Sequence, residues 1–233
     1  MDYRMLGDTD CPLVEITLMQ GETVRVERGA MAYMADVEIE GRLNSKKSGI
    51  GGLFGAIGRS LTSGESMFIT EAVGQRNGAI IGIAPALPGK VVALSVDDNT
   101  SYRLNTAAFL ASDEGVDYTM KRQDIGKALF AGTGGLFVME TEGEGEVLVS
   151  AFGDILELEV TEDRPLIIDN EHVVAWESTL DYHLEIASGT FGFTTGEGIV
   201  NNFSGHGKVL IQTRNLHSLA DAIRVFIPTQ SSN

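Results

Sequence analysis

Four histidines, one cysteine and a few adjacent acid pairs are the side chains here whose types could do chemistry. The histidines are His172, His183, His206 and His217. A metal held on a β-strand needs imidazoles at positions i and i+2, which share one face. No His-x-His occurs, and Glu171-His172 would point to opposite faces of an extended strand. His206 lies in a Gly-x-Gly turn and reads as an exposed turn residue. Cys11 has no histidine near it in sequence, so it reads as a small, partly buried residue rather than a nucleophile. Asp97-Asp98 and Glu162-Asp163 read as solvated hairpin tips rather than acid/base pairs.

Nucleotide and hydrolase motifs are missing as well. Gly82 to Lys90 lacks the P-loop spacing and the following Ser or Thr. Gly49-Ile50-Gly51 lacks a third glycine and a preceding apolar strand. No Gly-x-Ser-x-Gly elbow is present. The expectation is therefore no catalytic, cofactor-binding or metal-ligating residues, no cofactor and no enzyme activity. Trp176 and Tyr33 read as core or interface plugs rather than ligand-stacking rings.

Charge narrows the partners. The chain has 233 residues, 17 Lys+Arg against 33 Asp+Glu, and a net charge of -16. Nucleic-acid binding is dominated by cations meeting phosphates, so this balance argues against it. One cysteine excludes a disulfide scaffold and fits a reducing compartment. The start Met1-Asp2-Tyr3-Arg4 does not read as a signal peptide, and no apolar run is long enough to span a bilayer. A cytoplasmic location is expected.

The elements that would carry any site are strands. Period-2 alternation recurs at Val24 to Glu27, Ile155 to Val160, Leu180 to Ile186 and Val209 to Thr213, separated by turn residues. Self-comparison aligns Leu94–Tyr118 with Leu158–Tyr182 without a gap, and Leu13–Glu40 follows the same plan with a small slip. Gly143 to Val149 likewise matches Gly205 to Ile211. The expected architecture is all-β: a barrel or sandwich of three related lobes in one domain, residues 1–228. The repeats would be about 13–40 plus 199–213, then 67–118, then 136–182, with the chain ends closing the first lobe. Leu216, Leu219, Ile223 and their neighbours predict a short helix with one buried face, and 229–233 a disordered tail.

One segment departs from the acidic background. Residues 41–64 hold Arg42, Lys46, Lys47 and Arg59 and no acid. If helical, Leu53, Phe54, Ile57 and Leu61 share a face. Cations beside an apolar face suit an interfacial membrane segment. The other two glycine-rich joins also hold Phe and Gly, at Leu129-Phe130 and Phe191-Gly192-Phe193. Packing of all three loops on one another, or on another subunit, is the competing reading.

Several motifs in order resemble the altered-inheritance-of-mitochondria protein 24 family. They are Gly52-Leu53-Phe54-Gly55 with Ser63 to Phe68, Ala84 to Gly89, Phe109 to Ser112, Gly134 to Phe137, Gly196-Glu197-Gly198, and Gly205 to Val209. The resemblance implies a fold like that of the trp RNA-binding attenuation protein, within the double-stranded β-helix class. It implies no catalytic residues, and it hints at membranes or membrane complexes through the family's link to mitochondrial inner-membrane organisation. The function expected is a non-enzymatic binding or scaffold module, homo-oligomeric, associated with a membrane surface or complex through glycine-rich loops. The alternative is a β-barrel that binds a small ligand or metabolite, with or without catalysis.

Overall fold

A computed structural model describes residues 1–7, 10–43, 68–123, 137–187 and 198–227. Segment 46–61, with Lys46, Lys47, Leu53, Phe54, Ile57, Arg59 and Leu61, lies outside the described residues, as does the tail expected at 229–233. Arg42 falls in a strand, but its side chain also lies outside what is described.

The first seven strands are β1 (Asp2–Leu6), β2 (Leu13–Leu18), β3 (Thr23–Glu27), β4 (Met31–Ala35), β5 (Val37–Leu43), β6 (Phe68–Gly74) and β7 (Ala79–Ile83). Six follow: β8 (Val91–Val96), β9 (Tyr102–Asn105), β10 (Phe109–Asp113), β11 (Val116–Arg122), β12 (Phe137–Gly143) and β13 (Gly145–Ser150). The last six are β14 (Ile155–Val160), β15 (Leu166–Asp169), β16 (Val173–Glu177), β17 (Asp181–Ile186), β18 (Ile199–Ser204) and β19 (Gly207–Gln212), before the helix α1 (Leu216–Arg224). The protein is thus predominantly β, as its alternating apolar pattern requires.

Among the described residues the strands form four antiparallel sheets, none of them closed. Two have six strands, in the orders β5-β6-β3-β10-β13-β8 and β11-β12-β9-β16-β19-β14. Each position in the second order is the first order advanced by six. The smaller sheets run β1-β2-β7-β4 and β15-β18-β17.

The expected closure of the chain ends is not made. β18 pairs with β15 and β17, and β19 with β14 and β16, so residues 199–212 complete the last run of strands. The first run is completed by β6 and β7, which pair with β3, β5, β2 and β4. The physical reason is register. β14 and β19 stay aligned from Ile155↔Gln212 to Val160↔Gly207, which seats Val209 and Ile211 beside Leu158 and Leu156.

Apolar side chains fill the layers between successive sheets. Val14, Ile16 and Ile81 meet Val24, Val26 and Leu148 in the first layer. Phe109 and Val147 meet Leu104 and Met139 in the second. Val138, Trp176 and Val209 meet Ile168 and Phe203 in the third. Trp176 packs edge-on against Tyr182 and Phe203, with ring centroids 4.8 and 5.5 Å away. Period-2 alternation lets one strand serve a layer with every second residue.

Candidate functional site

Two features of the described residues could bind something: a pair of open strand edges and a cavity. The edges come first, because the sheet order defines them.

β10 is paired on both sides. Ala111 lies opposite Leu148 of β13 and opposite Val26 of β3. β16 repeats this, with Ala175 opposite Leu210 of β19 and Leu104 of β9. Both strands carry a bulge just before these residues, and β4 carries one between Met31 and Tyr33. In β4, Tyr33 lies opposite Gly82 of β7, but among the described residues nothing pairs with the other edge of the strand. Among the described residues β15, the strand in the place of β3 and β9, is also unpaired on one side.

Both edges expose apolar side chains. Met31, Tyr33 and Met34 are exposed on β4, and Ile167 on β15 is 67% exposed. The corresponding positions on β3 and β9 are Arg25 and Arg103, both shielded by the neighbouring run. Native proteins usually blunt a free edge with charge, proline or a covering element, so an apolar open edge could accept a further strand.

Tyr33 stands at the centre of the β4 edge rather than in the core. Its hydroxyl donates to Glu15 Oε2 at 2.5 Å, and Arg4 donates to Glu15 Oε1 at 2.8 and 2.6 Å. The Tyr33 hydrogen bond, with Arg4 second, holds the Glu15 carboxyl below its ordinary value. The same bond pushes the Tyr33 phenol up. The Tyr33 ring lies over Gly82, where an added Cβ would run into it and force the ring to move.

The cavity has a volume of about 490 Å³ and is walled by residues far apart in the chain. Glu27 comes from the end of β3, Ala108 from the turn before β10, and Phe152 from the turn after β13. Glu171 and Val174 flank the start of β16, while Leu216 and His217 open α1. His217 Nδ1 pairs with the Glu171 carboxylate. His172 donates from Nδ1 to the Gln212 carbonyl at 2.7 Å, and its Nε2 accepts from Asn215, the residue that caps the helix. Two histidines therefore tie the first turn of α1 to β16 and β19. Burial raises the Glu27 carboxyl, and among the described residues no neighbouring charge contributes. Among the described residues no cluster of three or more His, Cys, Asp or Glu is placed to hold a metal.

Other sequence expectations fare unevenly. Trp176 is only 2% exposed and belongs to the core. His206 is exposed in its turn, and Asp97, Asp98, Glu162 and Asp163 are exposed at theirs. Cys11 is exposed rather than partly buried. The apolar face of α1 is not buried: Leu216, Leu219 and Ile223 are exposed, as are Val225, Phe226 and Ile227 beyond it. Amphipathic spacing shows that a face is apolar without supplying anything to cover it. No described helix is long and apolar enough to cross a membrane. Neither the cavity nor the open edges stood out in the sequence, because both depend on which strands become neighbours.

The chain has close relatives. A family model described as Mitochondrial biogenesis AIM24 matches residues 3–214. An uncharacterized protein of Streptococcus pyogenes serotype M6 is 47% identical over 223 residues, covering 95% of this chain and 89% of that protein. A crystal structure of a Streptococcus pyogenes protein, 42% identical, superposes with a TM-score of 0.80 over 97% of this chain and 99% of that one.

Proposed function

This chain belongs to the family described as Mitochondrial biogenesis AIM24, and we propose that it is a non-enzymatic binding or scaffold module built from several copies of itself. The observation that carries the proposal is the sheet order. Two six-stranded sheets each arise by joining one run of strands to the next, through β3 with β10 and through β9 with β16. The two smaller sheets end in β15 and β4, the strands that a third join of this kind would pair.

A second copy supplies that join. By the register of the two internal joins, Tyr33 of one copy lies opposite Ile168 of the next, Met34 opposite Ile167, and Ala35 opposite Leu166. The exposed apolar side chains of both edges then cover one another, and the free backbone groups gain partners. Each copy offers one β4 and one β15, so the contact is head-to-tail and gives rings where the rotation closes. Light scattering of the purified chain tests this directly. Assemblies that dissociate when Ile167 is replaced by Lys support the module, and a monomer at every concentration rejects it.

The surface such an assembly serves is a membrane or a membrane complex. The support is the composition of residues 41–64, where Arg42, Lys46, Lys47 and Arg59 accompany Leu53, Phe54, Ile57 and Leu61 in a chain of net charge -16.

A further inference from the structure

We infer that the cavity beside α1 is a binding site for a small organic ammonium compound with an apolar body, anchored on Glu27. The volume of about 490 Å³ falls within the roughly 300–1,000 Å³ that small-molecule sites occupy. Its walls are largely apolar, with Leu87, Ala108, Ala151, Phe152 and Val174 among them. They offer a surface for a hydrocarbon or aromatic body rather than for a sugar or a phosphate.

The charges in the lining select the sign of the ligand. Among the described residues neither lysine nor arginine lines the cavity, and its carboxylates are Glu27 and Glu171. Glu171 is already occupied by His217, which leaves Glu27 as the acceptor without a charged neighbour among the described residues. A half-buried carboxylate lacking a cation loses hydration without compensation. An ammonium group entering the cavity restores that interaction with charge-assisted hydrogen bonds. The side-chain oxygen of Gln212 accepts from Phe152 N, and that of Asn105 from Ala107 N, so these two groups are engaged in shaping the wall. A transition-metal ion fits less well, since among the described residues no group of three His, Cys, Asp or Glu is placed to hold one and His217 is committed to Glu171.

The lining does not include Tyr33, Met34 or Ile167, the exposed apolar residues of the strand edges.

Calorimetric titration of the full chain with phenethylamine and with tryptamine tests the inference, with hydrocinnamate as an anionic counterpart of similar shape. At least one amine should bind saturably at one site per chain, and hydrocinnamate should not. The Glu27→Gln variant should weaken amine binding about tenfold, the loss expected for a charge-assisted hydrogen bond. Ala107 is an exposed lining residue, so Ala107→Trp should block the cavity without disturbing the core. Saturable binding by neither amine overturns the site, as does hydrocinnamate binding equally well. Unchanged amine affinity in either folded variant overturns it too.

Discussion

Arg25 of β3 and Arg103 of β9 make the same crossing in successive sheets. Arg25 Nη1 donates to the carbonyl of Val116, just past the partner strand β10, and pairs with Glu71 and Asp117 at 3.5 and 3.4 Å. Arg103 Nη1 donates to the carbonyls of Ser178 and Leu180 at 3.1 and 3.0 Å, just past the partner strand β16. Its guanidinium also pairs with Glu140 at 3.4 Å and lies over the Tyr182 ring. Each arginine thus fastens one run of strands to the next just past the end of the partner strand, and at Ser178 the backbone adds a bond from its N–H to the Ser101 carbonyl at 2.9 Å.

That fastening should be sensitive to shape as well as charge. Arg25→Ala removes the carbonyl bond and both carboxylate contacts from a buried position, and should cost about 3 kcal/mol in urea unfolding. Arg25→Lys should recover only part of this, because an ammonium cannot span the separate acceptors as a guanidinium fork does. Full recovery by lysine would reduce the crossing to simple charge.

On β15, at the edge proposed to join a second copy, Ile167 occupies the place of these arginines. Ile167→Lys should break the assembly without changing the melting temperature of the single chain by more than about 2 °C, since surface changes rarely cost more. Adding Met34→Glu should restore assembly by setting opposite charges across the new strand pair. Light scattering reads both outcomes. Assembly unaffected by either substitution would move the contact between copies elsewhere.

Membrane contact through the basic glycine-rich segment predicts co-sedimentation with anionic vesicles but not with neutral ones. A variant lacking residues 46–62 should remain folded and stay in the supernatant. Binding should weaken as salt is raised, because surface charges are screened within about 8 Å at physiological ionic strength. Equal sedimentation of the full and shortened chains would remove the segment from the proposal.

Trp176 is the single tryptophan and reports on the third core layer. Its fluorescence should be that of a buried ring and should shift only on global unfolding. Trp176→Phe should be tolerated better than Trp176→Ala, which should cost about 3–5 kcal/mol by leaving a cavity between Tyr182 and Phe203. Equal losses in the two variants would contradict tight packing at this position.

Acid should loosen the β4 edge. The Glu15 carboxyl is depressed below its ordinary 4.5, so its contribution is complete above that value and is lost as pH falls through the lower folded value. The Tyr33 phenol is raised above 10.0, so its contribution is present below that pH and is lost as pH rises through the folded value. Tyr33→Phe keeps the ring over Gly82 but removes the bond. It should lower the urea midpoint at pH 7, and the gap from the unsubstituted chain should shrink towards pH 3. A gap that stays constant across that range would place the effect of Tyr33 in packing alone.

The class of the fold was legible because alternation is local. A run such as Leu156-Glu157-Leu158-Glu159-Val160 can present its apolar residues to one side only as a strand, whatever it pairs with. The helix at Leu216–Arg224 was legible for the same reason, through the spacing of Leu216, Leu219 and Ile223.

Pairing belonged to the tertiary structure. Gly143–Val149 and Gly205–Ile211 share a pattern, yet the pattern did not show that the second stretch would serve its own run of strands rather than the N-terminal one. Only register and the packing of whole layers decided that, and with it the open edges at Tyr33 and Ile167. The Glu27 cavity is the extreme case. Its walls meet from positions 27, 108, 152, 171 and 217, and no local spacing relates residues that only sheet packing brings together.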